Sequence, residues 1–175
     1  MSVKSENTEK ALKEFLKYTV SQAKANLTRK KKNSTKALYD SMQFELNVSA
    51  NSFSASIGTD PKVNYGDFVD KGVSGKKKKY NTPYSYKDKQ PPASAFDKWI
   101  VRKGIAPRND KGQFQTRKGI AFAIARGVFI NGIKPSRFLS DPFEKGFKRL
   151  PDEIIEAYGL DVETFLNFVI NGKKN

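Results

Sequence analysis

The 175-residue sequence contains no cysteine and no histidine, a single tryptophan and two methionines. Without cysteine there can be no disulfide, thiolate metal site or thiol nucleophile. Without histidine there can be no Ser-His-Asp triad, HExxH metal centre or imidazole base. Carboxylate chemistry stays open, because 18 Asp and Glu are present. Also missing is an apolar run of about 18 residues, the length needed to cross a bilayer. The opening residues, Met1-Ser2-Val3-Lys4-Ser5-Glu6, show no apolar stretch of a secretory leader. The Asn-x-Ser/Thr patterns at Asn26, Asn33 and Asn47 are therefore read as chance matches. The expectation is a non-enzymatic protein with no cofactor, metal or membrane association.

What the chain does have is positive charge and aromatic bulk. Thirty-three Lys and Arg against 18 acids leave a formal +15, and 13 Phe and seven Tyr supply enough apolar volume for a core. The length predicts a single domain over 1–175. Residues 8–32 read as an amphipathic helix, with Leu12, Phe15, Leu16, Val20, Ala23 and Leu27 on one face and Thr8 at the N-cap. It runs into Arg29-Lys30-Lys31-Lys32, and a short helix follows within 34–41. Phe44, Leu46 and Val48, then Phe53, Ala55 and Ile57, alternate with polar residues around a turn at 49–52. That pattern predicts a β-hairpin over 43–58 with one buried face.

Residues 64–72 predict a turn and a half of helix ending at Gly72, and 73–92 carry no hydrophobic period. Ser94–Lys103 reads as a short helix turning Phe96, Trp99 and Ile100 inward, stopped by Gly104. A very apolar helix over 116–130 is expected to be buried or packed against another chain. Lys134–Leu139 reads as extended because of Pro135. Three helices are expected after it. The first opens at Asp141-Pro142, the second runs from Pro151 to a stop at Gly159, and Asp161 caps a third bearing Val162, Phe165, Leu166, Val169 and Ile170. The fold class is α+β: an N-terminal helix, an antiparallel hairpin sheet packed by helices, a long basic insertion loop and extra C-terminal helices. Its parts are a helix-plus-hairpin core (8–72), a basic Tyr-rich arm with a short helix (73–116), a buried helix, extended segment and helix (117–149), and a helical extension (150–175).

Two catalytic patterns fail on inspection. Gly72-Val73-Ser74-Gly75-Lys76-Lys77 lacks the spacer and the Ser or Thr of a phosphate loop. In Asp141-Pro142-Phe143-Glu144-Lys145 the Glu and Lys are adjacent, unlike a nuclease carboxylate site, and acids at a helix start are explained by its dipole. The arm is the strongest compositional feature. Lys71, Lys76, Lys77, Lys78, Lys79, Lys87 and Lys89 face only Asp70 and Asp88 nearby, and Tyr80, Tyr84 and Tyr86 lie among them. Such a segment suits phosphate neutralisation with base stacking, docking on an acidic neighbour, or plain solvation. The contact candidates are Lys76, Lys77, Lys78, Lys79, Tyr80, Tyr84, Tyr86, Lys87 and Lys89.

The order helix, hairpin, Asn64-Tyr65-Gly66-Asp67-Phe68-Val69-Asp70-Lys71-Gly72, then Ile133-Lys134-Pro135-Ser136-Arg137-Phe138-Leu139 resembles the HK97 gp10-like family of tailed-bacteriophage head–tail joining and tail-completion proteins. Tyr65, Phe68, Val69, Asp70 and Gly72 match its tyrosine-led segment. Lys134, Pro135, Arg137, Phe138 and Leu139 match its second segment. The resemblance covers about residues 10–149, interrupted by 73–116, and the arm and the last helix are additions to its pattern. It implies a non-catalytic virion protein at the head–tail junction, assembled in the host cytoplasm. It further implies a ring of six or twelve copies around the DNA exit channel. The implied partners are further copies of itself, portal or adaptor and other neck or tail proteins, and duplex DNA in transit. The alternative left open is a basic nucleic-acid-binding protein using the Lys/Tyr arm.

Overall fold

The computed structural model describes residues 5–49 and 52–171. The elements run α1 (Glu6–Arg29), α2 (Ala37–Ser41), β1 (Gln43–Ser49), β2 (Ser52–Gly58) and α3 (Gly66–Lys71). A 3-10 helix (Ala93–Phe96) follows, then α4 (Asp97–Lys103), α5 (Arg117–Asn131), α6 (Ser140–Phe147) and α7 (Leu150–Asn171). This is an α+β protein whose sheet among the described residues is a two-stranded antiparallel hairpin. The described chain forms two compact units, each made of segments distant in sequence. Residues up to Arg29, Ala37–Val63 and those from Phe138 onward make the first, and Lys30–Lys36 with Asn64–Arg137 the second.

In the first unit the helical period of α1 does what its spacing predicts. Phe15, Leu16, Val20, Ala23 and Leu27 are buried, each of the larger ones contributing about 1.5–3 kcal/mol by leaving water. Phe15 and Leu16 pack with Leu150, and Leu12, Phe44, Leu46, Ile57 and Ile154 close over them. The hairpin pairs Phe44 with Ile57 and Leu46 with Ala55. Its inward face fades toward the turn, where Val48 is exposed, and turn positions 50–51 lie outside the described residues. α6 approaches so closely that a Cβ on Gly146 would stand 2.9 Å from the ring of Phe15.

Several expectations are corrected here. α1 stops at Arg29 instead of residue 32, because Lys31 takes a left-handed φ of 54°. Thr8 is not its N-cap but lies within the first turn, buried. The second and third C-terminal helices are one: α7 passes through Gly159 without a break. A helical glycine costs only about 1 kcal/mol against alanine. The packing of α7 along α1, with Ala157 buried and Ile154 against the Phe15 cluster, outweighs it. Within the expected stripe Val162, Phe165 and Val169 are half-buried and Leu166 is exposed, while the side chain of Ile170 lies outside the description.

The second unit is centred on Ile100, Ile120 and Ala121, with Ala93, Phe96, Ile105 and Ile124 around them. Trp99, expected to point inward, is 37% exposed, since Ile100 takes the inward position of this two-turn helix. α5 starts at Thr116, whose side chain accepts a bond from the Gly119 amide. Of this helix, expected to be buried or packed against another chain, Ile120, Ala121 and Ala125 are buried within the chain, while Phe122 is 53% exposed.

Candidate functional site

In the second unit, α3 ends at Gly72 and the chain meets the segment that follows α5. Val73 and Ile133 exchange both main-chain bonds, at 2.9 and 2.7 Å. The Ser136 amide and hydroxyl both donate to the Val69 carbonyl, at 3.1 and 2.6 Å, and the Arg137 amide donates to the Asp70 carbonyl at 2.9 Å. Lys30 Nζ also donates to the Ser136 carbonyl. The tyrosine-led segment and the Lys134-Pro135 segment, more than 60 residues apart, are thus one hydrogen-bonded substructure.

Glycine makes the approach feasible. Gly72 and Gly132 have φ of 73° and 71° with ψ near 180°, a region essentially closed to other residues. A Cβ at Gly72 would lie 2.5 Å from the Ile133 carbonyl oxygen and 2.6 Å from the Pro135 nitrogen. At Gly132 it would collide with the Val73 carbonyl, and at Gly75 with the Ile130 carbonyl.

The lysine run begins where this junction ends. The amides of Lys76 and Lys77 donate to the Phe129 and Ile130 carbonyls at 2.9 Å, and that of Lys78 to Ile130 at 3.4 Å. These are the last carbonyls of α5, which a helix leaves without internal partners. Gly75 closes a tight turn onto the Lys78 carbonyl, and Lys79 Nζ donates to the Gly75 carbonyl at 2.8 Å. The main chain of the lysine turn is therefore laid over the C-terminal, negative end of α5. All four lysines are exposed, as are Lys87 and Lys89.

The three tyrosines of the arm are engaged within the unit. Tyr84 lies 4.5 Å from Phe68, ring centre to centre, and its hydroxyl donates to Asp67 at 3.2 Å. Tyr86 meets Phe129 edge-on at 6.4 Å, and burial pushes its phenol pKa upward. Tyr80 lies beneath the Lys78 ammonium at 5.8 Å. The buried Ser74 organises them: its amide donates to the Tyr84 carbonyl, its carbonyl accepts from Tyr86, and its hydroxyl bonds to both polar groups of the Tyr80 main chain. Thr82 donates to the Gly72 carbonyl at 3.0 Å. Residues 73–86 are thus tied down as a loop without regular structure.

The structure divides the residues singled out in the sequence. Asp70, Gly72 and Phe138 are buried, and Val69, Pro135 and Leu139 are half-buried. Tyr65 and Phe68 are 38% and 42% exposed, Phe68 with its ring against Tyr84, and Arg137 is exposed with a left-handed φ of 48°. Phe138 belongs to the first unit, where its carbonyl accepts from the Asn26 side chain at 3.1 Å. Ser74 and Gly75 stood out in the sequence only as part of a failed phosphate-loop pattern, and their structural role had no signal beyond small residues beside a charge run.

Among the described residues no group of three or more acidic side chains is placed to hold a metal ion, and no helix is long and apolar enough to cross a membrane. Compared with protein-family models, curated proteins and solved structures, the chain matches none.

Proposed function

We propose that this chain is a structural subunit of a tailed-phage neck. Six or twelve copies form a ring that joins portal or adaptor to the tail and surrounds the DNA exit channel. One observation carries the reading. The two segments that bear the resemblance to head–tail joining proteins fold onto each other through five bonds between 69–73 and 133–137, across glycines that tolerate no side chain.

The charge fits a docking surface better than a channel lining. Six or twelve copies of +15 facing inward would hold duplex DNA by phosphate neutralisation and oppose its transit. The lysine turn 76–79 therefore faces acidic surfaces of neighbouring virion proteins. The test is localisation of a tagged subunit in assembled particles, together with particle mass alone and with neck partners. A place in the neck with rotational symmetry is the expected result. A monomer under every condition, absent from the virion, defeats the reading.

Nucleic-acid binding by the same turn is the second reading, favoured by the exposure of Lys76, Lys77, Lys78 and Lys79. It has to work with tyrosines already occupied by Phe68, Phe129 and Lys78.

A further inference from the structure

Within the first unit, the second half of α1 borders a groove of about 730 Å³ with α2 and β1. Val20, Tyr39 and Phe44 supply its apolar walls, and Lys17, Lys24 and Arg29 its charge; no acidic side chain lines it. Lys24 stands 5.2 Å over the Tyr39 ring. Lys17 and Lys24 are seven residues apart on one helix, so they lie on the same side about 10.5 Å from each other.

The same unit carries the opposite pattern on α7. In a protein of +15, this 22-residue helix has Asp152, Glu153, Glu156, Asp161 and Glu163 and neither Lys nor Arg. Asp161 is turned inward, but Asp152, Glu156 and Glu163 are exposed and follow one another at spacings of four and seven. Beside them run Ile155, 71% exposed, Tyr158, 54%, and Leu166, 51%. Glu156 and Glu163 repeat the seven-residue separation of Lys17 and Lys24, again about 10.5 Å.

We infer that the acidic, apolar face of α7 on one subunit seats in the basic groove of α1 on the next. A second copy is the occupant because both halves of the contact, matched in sign, spacing and apolar content, are present in one chain. They occupy different places on it. α7 packs along the first half of α1, between Thr8 and Leu16, and leaves the groove beside Lys17–Arg29 open. Two unlike, complementary patches on one subunit give a head-to-tail contact, the kind that closes into rings. The inference rests on the ring reading and names the surfaces that make it.

The test is a charge swap read by sedimentation at low salt. One variant carries Lys17→Glu and Lys24→Glu, the other Glu156→Lys and Glu163→Lys, with circular dichroism checking that each remains helical. Each variant alone should associate on the order of a hundredfold more weakly than wild type, because two contacts become repulsive. Mixed in equal amounts, they should assemble again, since each now offers the complement of the other. The milder Lys17→Gln, Lys24→Gln variant should fall between. Variants that assemble like wild type, or a mixture that stays dissociated, overturn the contact while the ring stands. A wild-type protein that is monomeric at every concentration and absent from virions overturns both. One that is monomeric alone yet found in the neck shows that another protein fills the groove, and overturns the contact only.

Discussion

Removing the Asp161 carboxylate should loosen the start of α1, although the two are 153–154 residues apart. Asp161 is 3% exposed and accepts four bonds: from the Asn7 amide (3.0 Å), the Asn7 side chain (2.9 Å), the Thr8 amide (3.0 Å) and the Thr8 hydroxyl (2.9 Å). Those two amides are in the first turn of α1, where a helix has no internal acceptors and a local capping residue would normally serve. The two main-chain bonds alone, at about 1.5 kcal/mol each, plus about 0.5–1 kcal/mol from the helix dipole, give about 3.5–4 kcal/mol for Asp161→Ala. In a protein of this size that lowers the thermal midpoint by about 10 °C. Asp161→Asn keeps an acceptor and loses the charge, so about half the effect is expected.

The pH dependence is a second, independent readout. Burial by itself would raise the Asp161 pKa, but the four bonds from Asn7 and Thr8 outweigh it and hold the carboxyl below its ordinary 3.8. The group is therefore more acidic folded than unfolded. Its contribution is complete above about pH 4 and disappears as pH falls through the folded value. Wild type should lose stability in that window relative to Asp161→Asn, with the two converging in strong acid. Thermal unfolding followed by circular dichroism from pH 2 to 7 measures both effects. A midpoint for Asp161→Ala within 1 °C of wild type, or parallel pH profiles for wild type and Asp161→Asn, would refute the capping role.

Gly132→Ala should destabilise the second unit by about 2–4 kcal/mol, combining a glycine-only backbone region with a collision against Val73, as a shift in urea midpoint would register. Phe138, 2% exposed, should cost about 3–5 kcal/mol as Phe138→Ala. Phe138→Asp should yield no soluble assembled particles, and its recovery in normal yield would contradict a packed role. Replacing Lys76, Lys77, Lys78 and Lys79 together by Gln should leave the unfolding midpoint nearly unchanged, because apart from the Lys79 Nζ bond to the Gly75 carbonyl the turn is held by main-chain bonds. The same variant decides the second functional reading. If the turn binds phosphate, affinity for duplex DNA and its salt slope must both fall; equal titrations rule that out.

The parts of this fold governed by nearest neighbours were readable from the sequence. The apolar spacing of Leu12 through Leu27, the alternation through Phe44 to Ile57, and the stops at Gly72 and Gly104 each specify structure locally, and each is found. Long-range cooperation was not readable. Gly159 looks like a terminator until the packing of α7 on α1 is known. Asp161 looks like a local cap because its true partners, Asn7 and Thr8, are at the other end of the sequence. The lysine run could be seen as charge but not as a turn laid over the last carbonyls of α5.

The exchange of segments between the two units has a consequence for the order in which the protein is made. A ribosome delivers α1 first, followed by the hairpin, yet α6 and α7, which supply Phe143, Leu150 and the carboxylate for α1, come after the whole of the second unit. The first unit must therefore wait, its apolar stripe exposed, while the second can close as soon as Arg137 has emerged. At about 5–20 residues per second that wait lasts several seconds or more. A nascent chain halted before residue 138 presents a finished second unit and an unfinished first one. The residues that line the groove beside Lys17 are all made by Phe44, whereas the complement proposed for it on α7 exists only once synthesis has passed Glu163.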